Sequence, residues 1–323
     1  MASGIQIAEY DRCMKVEVED MFYVQYNPPH SNQSSFMEKL YEHPYQNDRN
    51  IRLVALDGDK VVGFLGFLYW PYLLDGMEMN TFQLANLLID PDHRRMGIFI
   101  RLLKHGINIC EEKRVGILVG FPIEKILNSY IRNGLSNTLD LNWHVKLLNP
   151  LSFLKKANLV KPIFAEFSTV TPILTKNTKK GFTLNNTMEF NKWRQSYSIH
   201  NEYLYYTYHD ERGIAQFNMK VNVRRNVREI IIGRIDTDTD DAEFIKHALE
   251  KLIKILRHKK VFVFASCALN SNYYNKAVLA ALEWNGFKKI NKKIHFILKD
   301  LNIGKDIFRS DLWELFCSDI DTW

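Results

Sequence analysis

The predicted secondary-structure elements follow the same order twice along the chain. In the first half, apolar runs at residues 51–56 and 61–69 flank a polar turn and predict a β-hairpin. A strand at 82–89, a helix with an apolar face, a strand at 115–121 and a helix at 124–133 follow. This alternation predicts an α/β fold, in which helices cover a sheet.

The second half repeats this order. Its predicted elements are a hairpin at 203–221, a strand at 229–235, a helix around 244–255, a strand at 261–265 and a helix at 271–284. Arg132-Asn-Gly-Leu135, at the end of the last helix of the first half, matches Trp284-Asn-Gly-Phe287 in the second. Such internal similarity predicts two domains of related structure.

We therefore expect four segments in the chain. Residues 1–149 form the first domain, 150–198 a connector, 199–300 the second domain and 301–323 a C-terminal tail. The connector contains three prolines and a polar basic stretch, which are typical of a segment that lies over the surface. The tail ends in bulky apolar residues, whereas frayed tails are usually small and polar. We expect it to pack back on the first domain, because burial of apolar side chains offsets the loss of chain entropy.

A basic loop with one glycine separates the strand at 82–89 from the helix that follows it. Arg94 and Arg95 supply positive charge, and Gly97 lets the backbone turn without a Cβ in the way of a ligand. The first backbone N–H groups of a helix have no partner within the helix and carry partial positive charge. The segment therefore predicts a binding site for a phosphate group.

The spacing Arg94-x-x-Gly97-x-Phe99 after a strand resembles the pyrophosphate-binding motif of the GNAT acyl-CoA N-acyltransferases. The family pattern has Arg or Gln, two residues, Gly, one residue and then Gly or Ala, so Phe99 departs from it. The resemblance implies two tandem GNAT-like domains, each a mixed, mostly antiparallel sheet flanked by helices. It also implies acetyl-CoA as co-substrate without a metal, bound by Leu87, Leu88, Ile89, Arg94, Arg95, Met96, Gly97, Ile98, Phe99 and Asn128.

The second half carries the acidic sequence Asp236-Thr-Asp-Thr-Asp-Asp241 where the first half has its basic loop. These carboxylates would repel a pyrophosphate but can cap a helix. A calcium loop of the EF-hand type is not indicated, because its glycine and its distal glutamate are missing. We therefore expect the first domain to bind acyl-CoA and to be catalytic, and the second to be a degenerate copy.

Tyr130 is the expected proton donor. It lies in Ser129-Tyr-Ile-Arg-Asn-Gly-Leu135, which resembles the GNAT pattern in which a tyrosine protonates the departing sulfur. A tyrosine with a pKa near ~10 stays protonated at neutral pH. The alternative is a tyrosine that packs its ring and hydrates its hydroxyl.

The general base is not evident, because the strand at 82–89 contains no carboxylate. Glu124 at a helix start is one candidate, although such a residue also complements the helix dipole. His144 is another, although a histidine beside Trp143 is also typical of a packed core. Some two-domain relatives, including the myristoyltransferases and the aminoglycoside-acetylating tandem enzymes, use the C-terminal carboxylate, which here belongs to Trp323.

The resemblance implies an N-acetyltransferase that moves an acetyl group from acetyl-CoA to a primary amine of a small molecule. The acceptor we expect is an amino sugar or nucleotide-amino sugar of surface-polysaccharide synthesis. A Fem-type aminoacyl transferase also pairs two such domains, but it typically lacks the CoA loop. A non-catalytic CoA-binding module is the other alternative, because no base is obvious.

Charge and composition limit the other partners. The 43 Lys and Arg residues exceed the 37 Asp and Glu residues, and a net charge of +6 suits a polyanionic ligand such as CoA. No dense basic run or zinc-finger spacing indicates nucleic acid. Four widely spaced cysteines predict neither a disulfide framework nor a zinc site. Without a signal peptide or a long apolar segment, we expect a cytoplasmic monomer or homodimer with no membrane span.

Overall fold

The computed structural model describes residues 4–26, 36–154, 166–169, 180–197, 202–224, 227–271, 275–304 and 307–323. Three parts of the predicted connector, 155–165, 170–179 and residue 198, lie outside the described residues. Among the helices that are described, none is long and apolar enough to cross a membrane.

The first half consists of strands rich in apolar residues and of helices with one apolar face. Its elements are β1 (Gln6–Glu9), α1 (Lys15–Tyr26), α2 (Phe36–Leu40), β2 (Ile51–Asp57), β3 (Lys60–Tyr69), β4 (Tyr72–Leu74), β5 (Met77–Met79), β6 (Thr81–Ile89), α3 (Ile98–Glu112), β7 (Ile117–Gly120), α4 (Glu124–Arg132) and β8 (Ser136–Leu147). The predicted hairpin, strands and helices of this half are confirmed, whereas β1, α1, α2, β4, β5 and β8 are additional.

The second half follows the same plan. Its elements are β9 (Phe182–Leu184), α5 (Met188–Tyr197), β10 (Glu202–Asp210), β11 (Gly213–Arg224), β12 (Val227–Thr237), α6 (Ala242–Lys259), β13 (Phe264–Leu269), α7 (Lys276–Trp284) and β14 (Lys288–Asp300). The strand predicted at 261–265 lies three residues later than expected, at β13. Asp241 accepts hydrogen bonds from the N–H groups of Glu243 and Phe244, so the predicted helix-capping role of the acidic segment is confirmed.

All the strands but β4, β5 and β9 belong to one mixed, mostly antiparallel sheet of 11 strands, in the order β1-β2-β3-β6-β7-β14-β8-β13-β12-β11-β10. The two halves exchange their last strands. β14 of the second half pairs with β7, with Ile297 opposite Gly120, and β8 of the first half pairs with β13, with Val145 opposite Ser266. The two GNAT-like units therefore share a continuous sheet.

The two faces of the first half's strands are covered by different elements. One face packs against α3 and α4, with Leu102 and Tyr130 in the core. The opposite face packs against α1, α2, α5 and the C-terminal segment 307–323. Trp193 of α5 is fully buried there and donates a hydrogen bond from Nε1 to the Leu40 carbonyl at 3.0 Å.

The C-terminal segment 307–323 contacts both halves. Trp313 and Phe316 are fully buried, and Trp323 is 5% exposed. The Trp323 ring lies over Gly233 of β12, where an added Cβ would be 2.1 Å from Cζ2. Buried Arg234 of β12 binds the carboxylate of Asp319 at 3.3 Å. These contacts fix the end of the chain across the shared sheet.

Candidate active site

A gap opens between β6 and β7 in the middle of the sheet. The two strands are parallel and pair only from Thr81 opposite Ile117 to Gln83 opposite Val119. β6 then continues to Ile89 along β3, with a bulge at Asn86, whose φ of 53° lies in the left-handed region. Because β7 ends at Gly120, no strand of the described residues lies beside one edge of the last part of β6.

The basic loop leads from the end of β6 into α3. Arg94, Arg95 and Met96 are exposed, and no side chain caps the first N–H groups of α3. Gly97 has a φ of 73°, and no atom of the described residues lies within 4 Å of the position of an added Cβ. The loop therefore presents backbone N–H groups and two arginines to an open surface, as a phosphate site requires.

The other residues predicted to bind the cofactor differ in burial. Ile98 and Leu88 belong to the core, so only their backbone atoms can face a ligand. Leu87, Ile89 and Phe99 are partly exposed, and Asn128 is exposed on α4. The residues predicted to bind the cofactor thus lie along the edge of β6, the basic loop and the neighbouring faces of α3 and α4.

Tyr130 lies on α4 beneath the start of α3. It is 5% exposed, and its ring meets the Phe99 ring edge-on with 4.8 Å between the centroids. Phe99 thus points into the helix packing and leaves the loop open. Burial, with a smaller contribution from the Asp321 carboxylate, raises the pKa of Tyr130, so that its hydroxyl stays protonated at neutral pH.

Glu124 lies at the start of α4 with 80% of its side chain exposed. Its Oε2 is 2.5 Å from Nε2 of the buried His295 on β14, and Nδ1 of His295 is 2.7 Å from Oδ1 of Asp140. An imidazole between two carboxylates ties α4 to β14 and β8. His144, by contrast, lies on β8 opposite Cys267 of β13, away from β6, and burial lowers its pKa.

The end of the chain brings a carboxylate to β6 that sequence reasoning missed. Nε2 of Gln83 donates a hydrogen bond to Oδ1 of Asp321 at 3.1 Å. The chain end itself lies further on, where the Tyr203 hydroxyl donates to the Trp323 carbonyl oxygen at 2.7 Å. A glutamine in an apolar strand and two aspartates within an apolar tail are the sequence signals that could have pointed to this contact.

Comparisons with known proteins agree with this geometry. Residues 9–134 match the family model described as an acetyltransferase (GNAT) domain. This part of the chain is a GNAT domain. No curated protein matches the chain at a significant level.

Solved structures extend the GNAT likeness over nearly the whole chain. A GCN5-related N-acetyltransferase from Anabaena variabilis is 13% identical, with 93% of this chain and 73% of that chain covered and a TM-score of 0.61. A tandem GNAT protein from the clavulanic acid biosynthesis pathway is 18% identical, with 93% and 100% covered and a TM-score of 0.53. Eis1 from Mycobacterium abscessus is 10% identical, with 93% and 74% covered and a TM-score of 0.56. The chain has the tandem GNAT fold.

A groove of about 570 Å³ lies beside the GNAT domain, between α4, β14, β11 and the C-terminal segment. Phe121, Glu124 and His295 line it, and so do Trp323 and Lys220. Burial lowers the pKa of Lys220 to about 8. Across the described ranges, three of its basic residues have no carboxylate within 4.0 Å, namely Lys220, Arg224 and Lys292.

In the described part of the chain, no cluster of three His, Cys, Asp or Glu residues is arranged to hold a metal ion. The acidic segment of the second half lies where the GNAT domain has its basic loop.

Proposed function

We propose that this protein is an N-acetyltransferase that moves an acetyl group from acetyl-CoA to a primary amine of a small molecule. The observation that carries the proposal is the open Arg94–Gly97 loop at the start of α3, next to the gap between β6 and β7, within a GNAT domain. In this reading the acyl-CoA site is in residues 1–149, and the second domain is degenerate. The cytoplasm, where we expect the protein to act, supplies the acetyl-CoA.

Each predicted cofactor residue has a part in this proposal. Arg94 and Arg95 neutralise the pyrophosphate, and the N–H groups from Met96 to Phe99 donate hydrogen bonds to it. Backbone N–H groups of Leu87, Leu88 or Ile89 face the acyl oxygen, and Asn128 lies beside the pantetheine arm. Tyr130 donates the proton that the departing sulfur needs.

The groove supports an acceptor that carries an anionic group. Lys220 is a partly buried ammonium group with Arg224 nearby, and burying a cation without a counter-charge is costly. An anionic ligand would supply that counter-charge, whereas a polycationic amine would be repelled. Among the acceptors expected for a surface-polysaccharide enzyme, a nucleotide-amino sugar meets this requirement through its phosphates.

Ligand-induced stabilisation tests the donor site. Acetyl-CoA at 100 times its Kd should stabilise the wild type by about 2.7 kcal/mol in thermal unfolding. Arg94→Glu should abolish this stabilisation. Lys254→Glu, the same charge change at an exposed residue of α6, should keep it. Tyr130→Phe should bind acetyl-CoA normally and lose turnover. A wild type that acetyl-CoA does not stabilise would contradict the proposal.

Paired acceptors test the acceptor class and the two alternatives. Release of free thiol from acetyl-CoA is measured with glucosamine and with glucosamine 6-phosphate, which differ by one phosphate. Lys220→Met should raise KM for the phosphorylated amine only. Binding of acetyl-CoA with no turnover on any amine would favour the non-catalytic module, and aminoacyl transfer from tRNA without acetyl-CoA binding would favour the Fem-type enzyme.

A further inference from the structure

We propose that the side-chain carboxylate of Asp321 is the group that accepts the proton from the acceptor nitrogen. The assignment rests on the proposed acetyl transfer and concerns the third residue from the end of the chain. It fills the role for which Glu124, His144 and the C-terminal carboxylate of Trp323 were the sequence-based candidates.

The position of Asp321 beside the gap between β6 and β7 supports this role. Asp321 is bound to Gln83, which is the last residue of β6 that pairs with β7 before the gap opens. The carboxylate therefore lies at the point where a ligand can pass between the two strands. Oε1 of Gln83 is buried and has no hydrogen-bond partner in the described part of the chain. A buried acceptor atom of this kind indicates a donor that a ligand supplies, such as an amine N–H.

The backbone around Asp321 is held in place by hydrogen bonds, which also supports this role. Buried Arg194 of α5 donates hydrogen bonds to the carbonyls of Ser318 and Ile320, the latter at 2.7 Å. The Tyr197 hydroxyl donates to the Asp321 carbonyl at 3.0 Å. These bonds hold the backbone on both sides of the aspartate, so its carboxylate is held in place before a substrate binds.

The position of Asp321 relative to Tyr130, the proposed proton donor, supports this role as well. Tyr130 belongs to the core on the α3 and α4 side of β6, whereas Asp321 reaches β6 from the side of α1 and α5. Even so, the carboxylate is close enough to raise the pKa of Tyr130. A proton donor and a proton acceptor thus flank the gap from opposite faces of the sheet.

The surroundings of Asp321 set its basicity. Burial raises the pKa of the carboxyl to about 6, and the charge of Arg194 and the Gln83 hydrogen bond oppose this shift. No Lys or Arg nitrogen of the described residues lies within 4.0 Å of the carboxylate. The groups that face it are Gln83 of β6, Arg194 and Tyr197 of α5, Tyr130 of α4, Tyr26 of α1 and Tyr41. A carboxylate with this pKa is ionised at pH 7 and is a stronger base than an exposed one.

The proton balance of the reaction closes with these two residues. The acceptor enters the attack as a neutral amine after losing its ammonium proton to solvent. As the C–N bond forms, Asp321 accepts the proton of the nitrogen. As the C–S bond breaks, Tyr130 gives its proton to sulfur. Transfer of the proton from Asp321 through water to the Tyr130 phenolate restores both groups and leaves an amide and a free thiol.

The other candidates have different surroundings. Glu124 is mostly exposed and is engaged with His295. The Trp323 main chain lies at Tyr203, and its ring lies over β12 of the second half. Asp321, by contrast, is hydrogen-bonded to Gln83 of β6.

Asp321→Asn tests the assignment, because the amide keeps the shape of the side chain but cannot accept the proton. With acetyl-CoA saturating, kcat should fall about 100- to 10,000-fold, and stabilisation by acetyl-CoA should be unchanged. In the wild type, the pH profile of kcat/KM should rise through an inflection near pH 6. The variant should lose this inflection and keep the separate one of the acceptor amine.

Matched variants separate catalysis from structure. Asp319→Asn changes a neighbouring buried aspartate that binds Arg234 and has no described contact with Gln83, so it should keep the inflection near pH 6. Gln83→Met removes the hydrogen bond that lowers the pKa of Asp321, so it should move the inflection to higher pH. Asp321→Asn with wild-type kcat, or with the inflection retained, would overturn the assignment. A wild type that acetylates no amine would instead refute the proposed function, before any variant is made.

Discussion

Replacing Asp321 by asparagine should make the protein more stable at neutral pH while it removes activity. The ordinary pKa of the side chain is 3.8, and burial raises it to about 6 in the folded protein. The folded state therefore holds this proton more tightly than the unfolded chain. The linked stability is fully present below pH 3.8, is lost as the pH rises towards 6 and stays lost above it. Asparagine carries no charge at any of these pH values and escapes this loss.

The size of the effect follows from the shift. A difference of about two pH units at 1.36 kcal/mol each is about 3 kcal/mol. An unfolding entropy of about 2.1 cal/mol/K per residue gives roughly 0.7 kcal/mol/K for a chain of 323 residues. The melting temperature of Asp321→Asn relative to the wild type should therefore rise by about 4 °C between acidic and neutral pH. The pKa of Asp319 is also raised by burial, but this residue is present in both proteins. Its contribution to the pH dependence of stability therefore cancels in the difference between them.

Calorimetric melts of both proteins across this pH range measure the difference directly. Glu9→Gln, the corresponding change at an exposed glutamate of β1, serves as the control for the substitution itself. A difference between Asp321→Asn and the wild type that stays constant with pH would refute the argument that the carboxylate is buried at a cost. A wild type that gains stability relative to the variant as the pH rises would refute it as well.

Three further variants probe how the halves are held together. Arg234→Met leaves the buried carboxylates of Asp319 and Glu314 without their cation and should lower the free energy of unfolding in urea by about 3–5 kcal/mol. A smaller loss than that caused by Arg234→Lys would contradict this prediction. Gly233→Ala places a Cβ 2.1 Å from the Trp323 ring and should cost about 1–3 kcal/mol, most of it absent when Trp323 is already alanine. Asp241→Ala removes the N-cap of α6 and should cost about 1 kcal/mol, whereas the adjacent exposed Asp240→Ala should be neutral.

Local patterns predicted the elements that depend on neighbouring residues. The β2–β3 hairpin, α3 and α4 follow from apolar periodicity within short windows, as do β12 and α6. Gly97 adopts its left-handed conformation and Asp241 caps its helix for reasons that lie within a few residues. β8 and β14 were not predicted, because each is stabilised mainly by strands of the other half.

Only part of the candidate site could likewise be predicted from local sequence patterns. The Arg94–Gly97 loop and Tyr130 were identified from motifs, whose spacing is a property of the chain itself. The groove and the proposed base Asp321 were not identified in this way, because the residues that form them come from α4, β11, β14 and the tail. His295 meets Glu124 across 171 positions of sequence, and no periodicity relates the two.

The sequence by itself determined that the chain carries the same α/β plan twice and that only one copy has a basic loop ahead of its first long helix. Such features depend on contacts between residues close in the chain, so a short stretch contains the information. The tertiary structure decided that the halves exchange strands and that Asp321 meets Gln83 across 238 positions. A contact of this kind forms only when the burial of Trp313, Phe316 and Trp323 has brought the tail onto the sheet, and that burial is a property of the whole fold.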